Sequence, residues 1–214
     1  GAIALREVLP MRLNVVDGRV RSMARGMPDH TTGWLFDTKG EPRVAIGTHQ
    51  GRTRVLWREP GRESWESLAD FDSLRVRWTP HFLDAKNTLY VTHVNAQGYN
   101  VLTRFDPVQK KPIDEAFVSA PGFDFRGELV TRRDDARLLG VHLTTDAAMT
   151  VWLDESMKRM QALADERLPG RSNRLSCRRC GQPDQVVLVR SWSDRDPGQY
   201  HVYEAATQKW TMVG

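Results

Sequence analysis

Four groups of residues in this chain have side chains and spacings that could do chemistry. Cys177-Arg178-Arg179-Cys180 is a CxxC pair, a spacing shared by zinc sites and redox dithiols. Zinc needs two further ligands at matching spacing, and a thioredoxin-like centre needs a strand–helix–strand setting around the pair. The sequence offers neither, so the expectation is two structural thiols at a strand end and turn; an oxidising compartment would allow a local disulfide, and the sequence leaves their oxidation state open. Asp194–Gly198 (DRDPG) begins like an acidic calcium loop but lacks the distal Glu and further oxygen ligands. Turn formation accounts for each of its residues. Asp134-Asp135, between Arg132-Arg133 and Arg137, reads as a salted turn worth little energetically. The fourth group, His49, His93 and His142, recurs at comparable places in the chain, with Arg190 in the fourth such place. A polar column of this kind could line a channel or bind an anion, but alternation with Val and Leu fits half-exposed strand residues, and no metal is expected. No Gly-x-Ser-x-Gly nucleophile elbow occurs. No catalytic, cofactor-binding or metal-binding residue is therefore assigned.

The elements that carry these residues repeat. From Pro169 to Gly214 the chain spells a four-strand unit: Ser172–Arg178, Gln185–Trp192, Tyr200–Ala205 and Trp210–Val213. Cys180–Asp184 and Ser193–Gly198 supply turn residues between them. Comparable second strands occur at Arg43–His49, Thr88–Val94 and Arg137–Thr144, so successive units start about 45 to 49 residues apart. Third strands follow at Arg54–Arg58, Tyr99–Phe105 and Met149–Leu153. The turns before the second strands are alike in kind: Asp37–Gly40, Asp84–Asn87 and Arg133–Ala136. The spacing and the short antiparallel strands predict an all-β fold, a partial β-propeller of about four and a half four-stranded blades.

In chain order the expectation is a half blade over 1–28, blades over 32–70 and 73–120, a blade plus helix over 125–168, and a last blade over 171–214. Leu5–Val15 and Arg19–Ala24 would form the half blade as a hairpin. In Glu155–Leu168, Met157, Met160, Ala164 and Leu168 fall at helical spacing and Pro169-Gly170 ends the run, which predicts an inserted helix. Its Met positions are expected to be buried against the neighbouring blade, with a partner-binding stripe as the other reading. A half blade leaves apolar faces exposed at the ends, so the isolated chain is expected to self-associate through them.

Composition bounds the function. With 214 residues, 40% hydrophobic and 27% charged, the chain is an ordinary soluble globular sequence. The formal charge of +4 is spread over interleaved basic and acidic residues, which gives no basic stripe for nucleic acid. No apolar run approaches the roughly 18 residues of a membrane span. Gly1–Leu5 lacks the basic start and apolar core of a signal peptide, which leaves cytoplasm and periplasm both open.

Several stretches carry a family resemblance. Leu153-Asp154 followed by the predicted helix, Leu168–Arg174 (LPGRSNR), Ser191–Tyr200 (SWSDRDPGQY) and Tyr203–Thr207 resemble the propeller domain of bacterial prolyl oligopeptidase-family serine peptidases. Gly33–Asp37 with Gly40–Val44 is similar to an earlier blade of the same group. The resemblance runs from about Gly33 to the end and is most specific at Asp194–Tyr200. It implies a non-catalytic propeller segment that gates and filters peptide substrates for an α/β-hydrolase domain, the expected partner, encoded after Gly214. The alternative is a stand-alone propeller scaffold that binds a protein or small ligand. No cofactor is implied in either case.

Overall fold

The computed structural model describes residues 7–118, 122–145 and 148–214, which divide into two compact units at Ser119/Ala120. The first unit begins with a short hairpin, β1 (Met11–Leu13) and β2 (Val20–Ser22). Two antiparallel four-stranded sheets follow. The first comprises β3 (Thr31–Phe36), β4 (Pro42–His49), β5 (Arg52–Trp57) and β6 (Glu66–Asp72). The second comprises β7 (Trp78–Leu83), β8 (Leu89–Val94), β9 (Asn100–Asp106) and β10 (Lys111–Val118). The second unit holds a three-stranded sheet, β11 (Gly127–Thr131), β12 (Leu138–Thr144) and β13 (Ala148–Trp152). Helix α1 (Glu155–Arg167) then leads into a last four-stranded sheet of β14 (Ser172–Arg178), β15 (Val186–Ser193), β16 (Asp196–Glu204) and β17 (Lys209–Met212). In every sheet, spatial order follows chain order.

The second strands are where sequence meets packing. Val44, Val91, Val141, Val187 and Val189 are fully buried; β4, β8 and β12 are covered on both faces, whereas β15 alternates, burying Val187, Val189 and Ser191 and exposing Leu188 and Arg190. In the first unit, Val44, Val55, Trp57 and Leu68 of one sheet form a single cluster with Trp78, Leu83, Leu89, Val91 and Phe105 of the next. Trp78 fills its centre, with ring centroids 4.4 Å from Phe105 and 5.7 Å from Phe71. In the second unit, Leu139 and Trp152 meet Leu175, Val187 and Val189, and the buried face of α1, Met157, Met160 and Ala164, completes the cluster. The methionines are thus core residues. Asp154 caps the helix by accepting hydrogen bonds from the Ser156 and Met157 amides. Among the described residues no helix is long and apolar enough to cross a membrane.

The turns before the second strands share one physical solution. Asp37 Oδ1 accepts from the Lys39 and Glu41 amides at 2.8 and 2.9 Å, and Asp84 Oδ1 accepts from Lys86 and Thr88 at 2.8 Å each. Asp135 Oδ1 accepts from the Arg137 amide at 3.1 Å. The closing residues Gly40, Asn87 and Ala136 are all left-handed, at φ +73°, +62° and +52°, the conformation that lets so short a loop rejoin a twisted ladder. The β8–β9 turn repeats the arrangement with Asn95 as acceptor and Gly98 at φ +86°.

Three expectations are corrected. The sheet over 125–168 has three strands, because after Trp152 the chain enters α1 instead of a fourth strand. The hairpin expected in the half blade over 1–28 is present, but its strands are three residues each instead of spanning Leu5–Val15 and Arg19–Ala24, and all their residues are exposed. Pairing stops at Leu13 because Asn14 begins the turn, accepting from Val16 N through its side chain and from Gly18 N through its carbonyl; the expected strand start at Leu5 lies outside the described residues. Finally, Pro197 and Gly198 are not part of the reversal. Only Asp194 and Arg195 form the tip, and Pro197-Gly198 sits in β16, in the register shift opposite Ser191–Ser193, a bulge that tolerates a missing donor.

Asp37 also joins Arg43, at 2.8 Å, in an ion pair whose side chains are 5% and 10% exposed. Burial pushes the Asp37 pKa up, but the Glu41 amide, Arg43 and the Lys39 amide outweigh it and leave the carboxyl below its usual value. Its contribution to stability is therefore present above about pH 4 and lost as pH falls through the lowered value. Asp37→Ala strands a buried guanidinium and is expected to cost about 3–5 kcal/mol, whereas Gly40→Ala, which only forces a left-handed alanine, costs about 1 kcal/mol. Urea unfolding at pH 7 checks both; equal effects would mean that the ion pair contributes nothing beyond the turn.

Candidate functional site

Each of the recurring histidines has its own local partners. His49 is exposed at the end of β4 and its ring stacks on His30, centroids 3.7 Å apart and 5° from parallel. His93 on β8 holds Nδ1 3.1 Å from the Val94 carbonyl. A carbonyl only accepts, so Nδ1 is the donor in this contact. His93 Nε2 is buried and has no hydrogen-bond partner among the described residues. His142 on β12 shares a 2.9 Å hydrogen bond with Thr150 Oγ1 and meets the edge of Trp152. Arg190 on β15 lies over the Trp192 ring at 5.0 Å. The four comparable positions thus have four different sets of local partners, and no three His, Cys, Asp or Glu among the described residues converge as a metal site.

His142 and Thr150 form a hydroxyl–imidazole pair with the reach of a nucleophile and base. Burial, followed by the Arg174 charge, holds His142 down to about pKa 4, with Glu128 opposing. A base that weak does not activate an alcohol. The contact is a cross-strand pair between residues directly opposite in the β12–β13 register.

Of the carboxylates expected in turns, Asp135 lies in its turn, whereas Asp196 is the first residue of β16. Asp135 grips Arg132 with both oxygens, and that hydrogen bond, against a burial cost, brings its pKa to about 2. Asp196 accepts from the Gly198 amide at 2.9 Å and pairs with Arg171; the amide, then Arg171, hold its pKa low against burial. Carboxylates already matched by arginines are not a calcium cage.

Two features were not legible in the sequence. The first is a groove of about 630 Å³ in the first unit, where Phe71, Trp78 and Val94 line the apolar part and Arg77, Lys110 and Lys111 the basic part. Lys110 is held by Glu66 at 2.7 Å and by the Ser67 carbonyl at 3.0 Å. The cations come from the β6–β7 connection and from the start of β10 with the turn before it, so no local charge run announces the groove. It can seat an apolar or aromatic group beside an anion.

The second is the setting of the CxxC pair. Cys177 and Cys180 form a disulfide at the end of β14 and in the turn after it. The first turn of α1 packs on it: Cys177 Sγ lies 4.0 Å from Met157 Sδ, and a Cβ at Gly181 would stand 3.2 Å from Ser156 Oγ. Cys180 is only 4% exposed, within the core cluster, and Cys177 is half-buried at its edge. A helix precedes the pair in space although none follows it in sequence.

Comparison with protein-family models, with curated proteins and with solved structures finds no match to this chain.

Because the folded state keeps His142 neutral down to about pH 4, while an unfolded histidine titrates near 6.5, the native state binds fewer protons between these values. The stability from a neutral His142 is complete above about pH 6.5 and declines as pH falls towards 4. His142→Gln is expected to flatten this part of the profile. Urea midpoints at pH 7.5 and 4.5 for both proteins measure it, and parallel profiles would exclude His142 as the cause.

Proposed function

We propose that this chain is a non-catalytic β-propeller segment of a prolyl oligopeptidase-like serine peptidase, gating and filtering peptide substrates for a separate α/β-hydrolase domain. The observation that carries this reading is the serial repetition of antiparallel sheets in chain order, with neighbouring sheets in each unit sharing one core. Serial four-stranded antiparallel sheets are how propeller blades are built, which supports the reading. The stretches that resemble the family lie on these sheets: Gly33–Asp37 is on β3 and the turn after it, and Ser191–Tyr200 spans the β15–β16 hairpin. The hydrophobic residues exposed in the first hairpin, Met11, Leu13 and Val20, are the surface through which the isolated chain would self-associate.

A second reading, a stand-alone scaffold that binds a small ligand or protein, is favoured by one observation. The groove beside Trp78 joins an apolar floor to Arg77 and Lys111, a surface suited to an amphipathic anion whatever domain adjoins it.

The deciding experiment is peptide hydrolysis by the product of the complete gene, with and without residues 1–214, against short peptides and a folded protein. The gate reading expects the purified 1–214 chain to be inactive, and deletion of this region to admit larger substrates or abolish short-peptide turnover. Unchanged size selectivity, or a gene product without hydrolase activity, would leave the scaffold reading. In light scattering the isolated chain is expected to run above 24.4 kDa, and a monomer would count against exposed blade faces.

A further inference from the structure

We propose that Cys177–Cys180 is a thiol–disulfide exchange site, in which an incoming low-molecular-mass thiolate attacks Cys177 and Cys180 is the buried leaving and resolving sulfur. Three observations carry it, and none depends on the gate reading.

The two sulfurs are unequal. Cys180 is 4% exposed and part of the core around Met157, Met160 and Leu175, whereas Cys177 is partly open. Attack on a disulfide is set by access as well as by thiol chemistry, so this burial directs a small thiolate to one sulfur.

The disulfide is also dispensable as a staple. It closes a loop of two intervening residues, at the small end of the chain-entropy gain. The segment it joins is already held. Ser172–Arg178 is in register with Trp192–Val186 along its whole length. The following turn is closed by Gln182 N to Arg179 O at 3.0 Å, Gln185 N to Gln182 O at 3.1 Å, and Gly181 N to Gln185 Oε1 at 2.8 Å. Opening the S–S bond leaves every one of these in place.

The surroundings suit both redox states. Arg178 and Arg179 are exposed and lie between the two cysteines in the chain, and Arg179 is paired with Asp184 at 2.8 Å. On the inner side Cys180 Sγ is 3.2 Å from the Cys177 carbonyl, an acceptor for the Cys180 thiol once the bond opens.

In the exchange, RS⁻ forms a bond to Cys177 Sγ as the Sγ–Sγ bond breaks, and the electron pair leaves on Cys180 Sγ. Return attack by Cys180 on Cys177 closes the disulfide and expels RS⁻. If instead a second RS⁻ attacks the sulfur of R, RSSR departs with both electrons from the two thiols transferred, and Cys177 and Cys180 take up one proton each. Because Cys177 Sγ touches Met157 Sδ, an adduct at Cys177 also bears on the first turn of α1.

The test uses the intact chain in reduced and oxidised glutathione mixtures, quenched with acid and mapped by mass spectrometry. The expected result is reduction under native conditions without loss of the β-sheet circular dichroism, and a mixed disulfide at Cys177. Cys180→Ser is expected to trap that adduct, and Cys177→Ser to form its own at least about tenfold more slowly. Should either variant fail to fold, the wild-type reduction rate by dithiothreitol with and without urea decides the matter. Reduction only when urea unfolds the chain, adducts divided evenly between the two cysteines, or two free thiols that oxidised glutathione does not join would each overturn the proposal.

Discussion

In three of the four sheets the second strand, β4, β8 or β12, is buried on both faces, and that constraint organises the rest. A strand whose Val44 or Val91 is fully inaccessible needs a sheet neighbour on either edge and apolar cover above and below. The first and third strands supply the edges. The facing sheet supplies the cover, which is why Trp57 and Trp78, from different sheets, belong to one cluster. Outer strands escape the demand: β17 is mostly exposed, and β6 buries only Leu68.

The second unit meets the same demand by different means. Its first sheet stops at three strands, and α1 provides cover through Met157, Met160 and Ala164. Unbranched methionines adapt to the irregular gap between a helix and two sheets. Asp154 is what permits the switch from strand to helix within two residues. Burial raises its pKa, but hydrogen bonds from Ser156 and from the Met157 amide, with Arg137, outweigh it and keep the cap ionised. Polar groups elsewhere follow the same economy: Asp37 both closes a turn and matches Arg43, so one buried carboxylate satisfies two backbone donors and a guanidinium.

The histidines that recur along the sequence are spent on stacking, on a neighbouring carbonyl and on a cross-strand hydroxyl. The basic groove and the half-buried disulfide both lie at the edge of a core, where a charged or reactive group adjoins apolar surface.

The sequence by itself determined the strands, the helix and most turns. Period, β-branched runs and Asp, Asn or Gly at turn positions are local signals, and Ser172–Arg178 and Glu155–Arg167 appear nearly to the residue. It also determined that the CxxC pair would sit at a strand end. What it left open is long-range. That the third sheet stops at three strands depends on α1 covering its core, and a hydrophobic pattern does not say what will cover it. That Pro197-Gly198 lies in a strand depends on a register shift against Ser191–Ser193. The groove joins residues from β6 to β10, and the first turn of α1 reaches Cys177 across 20 residues of chain. Those proximities are set by packing between elements, which no local spacing encodes; only the tertiary structure decided them.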